Sequence, residues 1–222
     1  MAEEQVTYAY YPVFRRRQQL TAKETAQGTG EWNSILEEFG HRVTARGFYL
    51  CTGFRPDADL MLWLVAGSPD ELQEVVVHLR RTALGRALEL THSFLGAVRP
   101  AEFNPQHQPA FLRGEEPRKY LSVYPFVRTP EWYLLPAEDR SSLLKEHGEL
   151  ARDYPDVLPN TTSSFGLGDW EWILAFEADE LHRIVDLIRK LREAEARRYT
   201  KEEVPFVIGI RKPLEEALSD LA

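Results

Sequence analysis

Hydrophobic and polar positions repeat one strand–helix pattern twice along the chain. An apolar run at 60–65 precedes Ser68–Leu72, and helical spacing then continues to about Thr82. A mainly apolar run at 170–176 begins a second unit, whose helical spacing continues to about Arg198. Each unit predicts a buried strand followed by an amphipathic helix. The predicted inward faces of the two helices consist of Leu72, Val75, Val76 and Leu79, and of Leu181, Ile184, Val185, Ile188 and Leu191.

The remaining pattern gives both halves of the chain the same order of elements. In the first half it predicts strands near Tyr8–Phe14, Phe48–Thr52 and Leu88–Val98, with a helix near Trp32–Phe39. In the second half it predicts strands near Lys119–Val127, Thr162–Phe165 and Phe206–Ile210, with a helix near Ala137–Asp153. Each half therefore reads β-α-β-β-α-β, the ferredoxin-like order. We expect an α+β fold of two fused ferredoxin-like halves, a dimeric α+β barrel.

Domain boundaries follow from the same pattern. Residues 1–100 are expected to form the N-terminal half and residues 118–222 the C-terminal half, joined by a connecting loop at 101–117. At roughly 18 residues this connection is longer than most in compact domains, and such loops are usually functional or disordered. We interpret it as functional.

Charge and composition exclude several classes of function. A net charge of −8 argues against a general nucleic-acid binder, which needs clustered basic residues. The single cysteine, Cys51, lies in an apolar stretch and is interpreted as a small buried side chain. No window approaches the roughly 18 apolar residues that a membrane span requires, and the first residues lack the features of a secretory signal. A cytoplasmic location is therefore expected.

His147 is the histidine with the most suggestive position. It shares the predicted inward face of a helix with Leu143, Leu144 and Leu150. Such a histidine can be a hydrogen-bonded core residue, or it can be the single axial ligand of a haem-type iron. A zinc site is not indicated, because no HxxxH or HExxH pattern is present. The neighbouring Gly148 would permit close approach of a flat ligand.

Two further segments carry candidate chemistry. Strand alternation places Tyr120, Ser122, Tyr124 and Phe126 on one face, with Arg128 and Trp132 just beyond. This face could hold a carboxylated aromatic ligand, or it could be a sheet edge with aromatic packing. His107, flanked by amides and prolines in the connecting loop, can be either exposed and idle or catalytic.

Taken together, four segments of the second half resemble the chlorite dismutase-like superfamily. They are the runs at 124–128, 132–136, 145–148 and 161–169: Tyr-Pro-Phe-Val-Arg, Trp-Tyr-Leu-Leu-Pro, Lys-Glu-His-Gly and Thr-Thr-Ser-Ser-Phe-Gly-Leu-Gly-Asp. The first half resembles it mainly through the doubled ferredoxin-like plan.

The resemblance implies roles for individual residues. His147 matches the proximal histidine that ligates iron, and Tyr124 matches the tyrosine that forms a radical in coprohaem decarboxylases. His107 matches the distal histidine of the actinobacterial enzymes, which acts as a base toward hydrogen peroxide. Arg128 and Trp132 match residues near the porphyrin, and Lys119 or Arg118 would join Arg128 in holding propionates, although alternation places Lys119 on the opposite strand face.

Departures from the family pattern favour one branch. Chlorite dismutases carry a distal arginine after the axial helix, whereas no arginine occurs here between Tyr154 and His182. Firmicute decarboxylases have a glutamine there, for which Asn160 or Thr161 is the nearest candidate. His107 matches the actinobacterial branch.

The implied activity is decarboxylation of two propionates of iron coproporphyrin III (coprohaem), which is both substrate and cofactor, to give haem b. Hydrogen peroxide is the implied oxidant. The resemblance also implies a homopentamer and a transient contact with coproporphyrin ferrochelatase. The alternatives are a non-catalytic haem-binding or haem-transfer protein, another haem peroxidase-like member of the superfamily, and a non-haem dimeric-barrel protein.

Overall fold

The computed structural model describes residues 6–103 and 108–221. The chain divides into two compact units. The first runs to Val98 and also includes the chain from Val207 onward, and the second comprises Arg99–Phe206. The sequence pattern predicts that residues 207–222 belong to the C-terminal half. In the structure this segment belongs to the first unit instead.

The first unit has the predicted element order, extended by a strand and a helix from the end of the chain. Its elements are β1 Tyr8–Arg16, α1 Ala22–Phe39, β2 Val43–Arg55, β3 Ala58–Ala66, α2 Pro69–Arg81, α3 Ala83–Ala87, β4 Leu88–Ala97, β9 Val207–Lys212 and α7 Leu214–Ser219. The strands pair antiparallel in the order β4-β1-β3-β2-β9. The first four follow the ferredoxin-like arrangement.

Close packing fixes β9 against the first unit. Leu50 pairs with Ile210, and a Cβ atom at Gly209 would lie 2.6 Å from Tyr49 Cβ, so only glycine permits this approach. Leu214 and Leu218 of α7 then join the core of the first unit. These long-range contacts explain why β9 belongs to this unit and not to the nearer half in sequence.

Amphipathic helices cover the first unit's core. The predicted inward face of α2 is confirmed, because Leu72, Val75, Val76 and Leu79 are all buried. Burying a side chain of this size stabilises the fold by about 1.5–3 kcal/mol. Helix α2 begins after Ser68, whose hydroxyl accepts a hydrogen bond from the Asp70 amide.

The second unit is again an antiparallel sheet with helices. Its elements are β5 Tyr120–Arg128, α4 Pro130–Leu134, α5 Ala137–Leu150, β6 Leu158–Ser163, β7 Trp172–Ala178, α6 Leu181–Leu191 and β8 Thr200–Glu202, with short 3₁₀ helices at Ala110–Leu112 and Glu195–Tyr199. The strands lie in the order β6-β7-β5-β8. The α+β class with two ferredoxin-like halves is therefore confirmed, although β8 supplies the fourth strand where the pattern predicted Phe206–Ile210.

Helix α6 corrects two details of the prediction. It ends at Leu191 and not near Arg198, and Val185 is 59% exposed although it was assigned to the inward face. The buried residues are Ile184 and Leu187, three positions apart, which puts Val185 off the face toward solvent. The early end allows the chain to turn, and Arg192 and Arg197 both form ion pairs with Glu203.

Helix α5 has an unusual packing. All of its residues are described, and none of them is buried. Of the predicted inward face, Leu144 and His147 line a cavity. Among the described residues, no helix combines the length and apolarity needed to cross a membrane.

Candidate functional site

A cavity of about 270 Å³ lies within the second unit, between the sheet and helices α5 and α6. Its lining is mainly apolar, with a few charged side chains. The lining residues on β5 and β7 are Tyr124, Phe126, Arg128, Trp172, Leu174 and Phe176. The helices contribute Trp132, Leu144, His147, Ile188 and Leu191, and the remaining residues are Ala101, Glu102, Thr161, Arg192, Ala196, Arg197, Thr200 and Glu203.

Strand alternation selects the lining of the sheet. On β7, Trp172, Leu174 and Phe176 face the cavity, because every second side chain of a strand points to the same face. On β5 the same rule brings Tyr124 to the cavity wall. Ser122, on the predicted face, is buried and does not line the cavity.

Tyr124 is the central phenol of the site. It is 4% exposed, and its ring stacks on Phe206 with 4.2 Å between the centroids. Burial, and then the negative charge of Glu203, raise the pKa of Tyr124 well above its ordinary value, against the lowering effect of Arg192 and Arg197. The side chain is therefore a neutral phenol at neutral pH, and its oxidation must release a proton as well as an electron.

Arg128 and Trp132 form a stacked pair where β5 ends. The guanidinium carbon lies 4.1 Å from the centroid of the indole, and Nη1 donates a hydrogen bond of 2.9 Å to the Ala196 carbonyl. Helix α4, which begins with Pro130, turns the chain so that Trp132 is buried beneath the guanidinium. Within the described part of the chain, this guanidinium forms no ion pair with a carboxylate.

Burial lowers the pKa of Arg128 to about 10, which leaves the side chain positively charged at neutral pH. A buried cation without an ion-pair partner is costly, and an anionic ligand group in the cavity would compensate it.

His147 enters the cavity from α5. Partial burial in the cavity wall, and then the positive charge of Arg128, lower the pKa of His147 to about 4, against the opposing effect of Glu203. The imidazole is therefore neutral at neutral pH. Neutral imidazole is the form that ligates a metal ion.

Glu203, Arg192 and Arg197 are site residues that the sequence reasoning missed. Glu203 is nearly buried and lies 2.5 Å from Arg192 Nη1, and it forms a second ion pair with Arg197. Their segment looked like the exposed end of a helix, and no pattern distinguished it. Three arginines, Arg128, Arg192 and Arg197, and two glutamates line the cavity. One of the glutamates, Glu102, forms an ion pair with Arg140, which does not line the cavity.

Several sequence-predicted residues lie elsewhere. Lys119 is exposed, with its ammonium 5.0 Å from the centroid of the Tyr120 ring, and it does not line the cavity. Its role near propionates is therefore not supported, because alternation along β5 directs it away. Gly148 is also exposed and does not line the cavity, so close approach of a ligand in this cavity does not explain this glycine. His107 lies outside the described residues.

The structure distinguishes Thr161 from Asn160. Thr161 lines the cavity, whereas Asn160 is buried on the opposite face of β6. Of the two nearest candidates for the Firmicute glutamine, Thr161 is therefore the one that lines the cavity.

The donor chemistry is that of a single histidine. Among the described residues, no group of three or more histidine, cysteine, aspartate or glutamate side chains could hold a metal ion. A protein-held ion of the zinc type needs several such ligands, whereas a porphyrin supplies four nitrogens itself and needs one axial histidine.

A family model described as chlorite dismutase matches residues 25–212. The chain belongs to the chlorite dismutase family. It is 54% identical over 218 residues to the coprohaem decarboxylase of Mycolicibacterium smegmatis, covering 97% of this chain and 94% of that protein.

Solved structures of chlorite dismutases share the fold. The chlorite dismutase of Candidatus Nitrospira defluvii in complex with imidazole has a TM-score of 0.88 at 24% identity, over 97% of this chain and 94% of that chain. A mutant of the same enzyme also gives 0.88 at 24% identity, over 99% and 96%. At this identity the likeness establishes the fold alone.

Proposed function

We propose that this chain is a coprohaem decarboxylase that converts iron coproporphyrin III to haem b at the expense of hydrogen peroxide. Near full-length likeness to a coprohaem decarboxylase supports the activity. The observation that carries the site assignment is that His147, Tyr124 and Arg128 face one cavity from three different positions in the second unit.

The cavity fits a flat, anionic porphyrin. Leu174, Phe176 and Trp172 offer apolar contact, and Arg128 offers a charge-assisted hydrogen bond to a propionate. A bound iron, which His147 would ligate, would supply the redox chemistry, with hydrogen peroxide as the oxidant. The neutral state of this imidazole and the unpaired charge of Arg128 are the two features of the protein that call for such a ligand.

Each decarboxylation is a two-electron oxidation. One propionate, one hydrogen peroxide and one proton give one vinyl group, one carbon dioxide and two water molecules. Two rounds on two propionates yield haem b. Tyr124 would transfer the hydrogen atom: its phenoxyl form would take a hydrogen atom, and with it the first electron, from the propionate side chain. The resulting carbon radical would lose the second electron to the remaining oxidising equivalent of the peroxide as the carbon–carboxylate bond breaks and carbon dioxide leaves. His107 would accept a proton from peroxide and return it to the departing oxygen, which suits an ordinary histidine pKa near 6.5.

Assembly and location belong to the same proposal. We expect a cytoplasmic homopentamer that receives its substrate through a transient contact with coproporphyrin ferrochelatase. Light scattering on the purified protein measures the mass of the assembly. A mass of five chains is expected, and any other mass would contradict the homopentamer.

The decisive experiment is to mix the purified protein with iron coproporphyrin III, titrate in hydrogen peroxide and follow porphyrin masses. Stepwise loss of two carboxyl groups is expected. Tight binding without a change of mass would instead indicate haem carriage or another peroxidase-like reaction. A Soret band that does not change when the protein is added to coprohaem would overturn the porphyrin site itself. His147→Ala, tested beside the wild type, is expected to lose the histidine-ligated spectrum and to recover it with added imidazole.

A further inference from the structure

Glu177 is a fully buried acid that the proposed chemistry does not use. It lies on β7 with 0% exposure. Its Oε1 accepts a hydrogen bond of 3.1 Å from Asn160 Nδ2, and its Oε2 accepts one of 3.1 Å from the Arg118 amide. Burying a carboxylate is costly unless it is hydrogen-bonded, so these contacts are part of what holds it there.

Asn160 extends this contact to a second point of the chain. It is 1% exposed, and its Oδ1 accepts a hydrogen bond of 2.9 Å from the Phe111 amide. The Asn160–Glu177 pair therefore binds two backbone amides, those of Phe111 and Arg118. Phe111 belongs to the connecting loop at 101–117, and Arg118 directly follows this loop, two residues before β5 begins.

The pair lies directly behind the cavity wall. Thr161 and Phe176, the sequence neighbours of Asn160 and Glu177, line the cavity, and alternation directs the pair to the other face of the same two strands. The start of the connecting segment also reaches the cavity, where Glu102 lines the wall and lies 2.5 Å from Arg140 of α5. The segment is thus attached at one end to the helix that carries His147 and at the other to the back of the sheet.

We propose that Asn160 and Glu177 are positioning residues. They hold the end of the connecting loop against the cavity sheet and so limit how far the preceding residues can move from it. This inference rests on the proposed function. His107 itself lies outside the described residues, but the sequence places it four residues before Phe111. Four residues span at most about 14 Å, so an anchored Phe111 limits where a base at position 107 can act.

The chemistry of the pair permits a swap test. In Glu177→Gln, an amide nitrogen replaces one of two acceptor oxygens, so one of the two N–H donors loses its partner. In Asn160→Asp, a carboxylate faces the Glu177 carboxylate. In the double variant Asn160→Asp/Glu177→Gln, the central hydrogen bond is reversed while an oxygen remains for each backbone amide.

Two measurements are made on each variant with the full-length protein. The first is hydrogen exchange of the Phe111 and Arg118 amides, which we expect to accelerate roughly tenfold in the single variants, the equivalent of about one hydrogen bond. The second is the kcat/KM for peroxide, expected to fall roughly ten- to hundredfold through misplacement of the segment, with coprohaem affinity changed less than about twofold. The double variant is expected to restore both quantities in part, because Asn160→Asp also removes the hydrogen bond of 3.2 Å that Asn160 Nδ2 donates to the Ala175 carbonyl.

Asp156→Asn is the matched control, since it makes the same carboxylate-to-amide change in the second unit at an exposed ion pair outside the cavity. Faster amide exchange with unchanged peroxide turnover would overturn the positioning role, and so would a double variant that turns over peroxide no faster than Asn160→Asp alone, since both lack the Asn160–Ala175 hydrogen bond. If the wild type bound coprohaem without releasing carbon dioxide, the proposed function would fail, while the exchange rates would still support or overturn the anchor.

Discussion

At the scale of single residues, the cavity holds three side chains in different charge states for identifiable reasons. His147 is neutral because burial and Arg128 disfavour its cation, and Tyr124 is neutral because burial and Glu203 disfavour its anion. Arg128 remains charged at neutral pH despite burial. One site therefore offers a metal ligand, a hydrogen-atom carrier and an anion-binding group together.

Replacement of Tyr124 by phenylalanine separates binding from chemistry. Tyr124→Phe is expected to bind coprohaem normally, because the stacked ring remains, and to abolish decarboxylation, because no phenolic hydrogen is left. Porphyrin masses after peroxide addition measure the result. Tyr120→Phe on the same strand, outside the cavity lining, is the control, and normal turnover by Tyr124→Phe would contradict the radical assignment.

Arg128→Leu tests the anion-binding group. We expect the dissociation constant for coprohaem to rise roughly tenfold or more, because a hydrogen bond to a charged group contributes about 1.5–3 kcal/mol. Soret titration measures the affinity. Arg183→Leu removes an arginine that pairs with Asp156 outside the cavity, and an equal loss of affinity in both variants would argue against a specific role of Arg128.

At the scale of elements, α5 shows how a binding site alters the packing of a helix. A helix whose apolar stripe meets a core buries several residues, as α2 does, whereas α5 buries none. Leu144 and His147 of its stripe line the cavity, so the helix that carries His147 borders a cavity where α2 borders a core.

Gly148 offers a direct test of this helix. Because a Cβ atom there meets no other atom within 4 Å, Gly148→Ala is expected to stabilise the protein by about 0.5–1 kcal/mol, without change in coprohaem affinity. Thermal unfolding measures the effect. Gly166→Ala is the contrasting variant: Gly166 has φ of +75°, and alanine there is expected to cost about 1–2 kcal/mol. Weaker coprohaem binding by Gly148→Ala would contradict this expectation and would indicate that Gly148 lies close to the bound ligand.

At the scale of the whole molecule, the two units share the ferredoxin-like order of elements. The cavity lies within the second unit, while β9 and α7, at the end of the chain, complete the first. The first unit therefore depends on both ends of the described chain. We infer that removal of β9 and α7 would expose the core residues against which Leu214 and Leu218 pack.

Acid stability should depend in part on exposed carboxylates such as Asp156. Two hydrogen bonds from Arg183 lower the pKa of Asp156 to about 2. A lowered folded-state pKa means that the ion pair stabilises the fold above the ordinary value near 3.8 and loses this effect as pH falls toward 2. Because both side chains are partly exposed, the effect should be below about 1 kcal/mol.

The expected result is that Asp156→Asn unfolds at a lower temperature than the wild type at about pH 6, and that the difference shrinks at about pH 3. Thermal unfolding at the two pH values measures it. A difference that grew on acidification would contradict the assigned direction of the pKa shift.

The sequence by itself determined the family, the α+β class, the doubled element order and the position of His147 on a helix. These depend on local information: periodicity of 2 or 3.6, and short runs such as those at 124–128 and 145–148. The activity proposed from these runs agrees with the name of the 54% identical relative, whereas the individual residue roles stay predictions.

Only the tertiary structure decided which of the candidates face one cavity. It placed Lys119 and Gly148 outside, brought in Thr161 and not Asn160, and added Glu203 with its two arginines. It also moved β9 to the first unit and ended α6 at Leu191. The reason is that these outcomes depend on contacts between residues far apart in the chain, such as Gly209 against Tyr49, which no local pattern encodes.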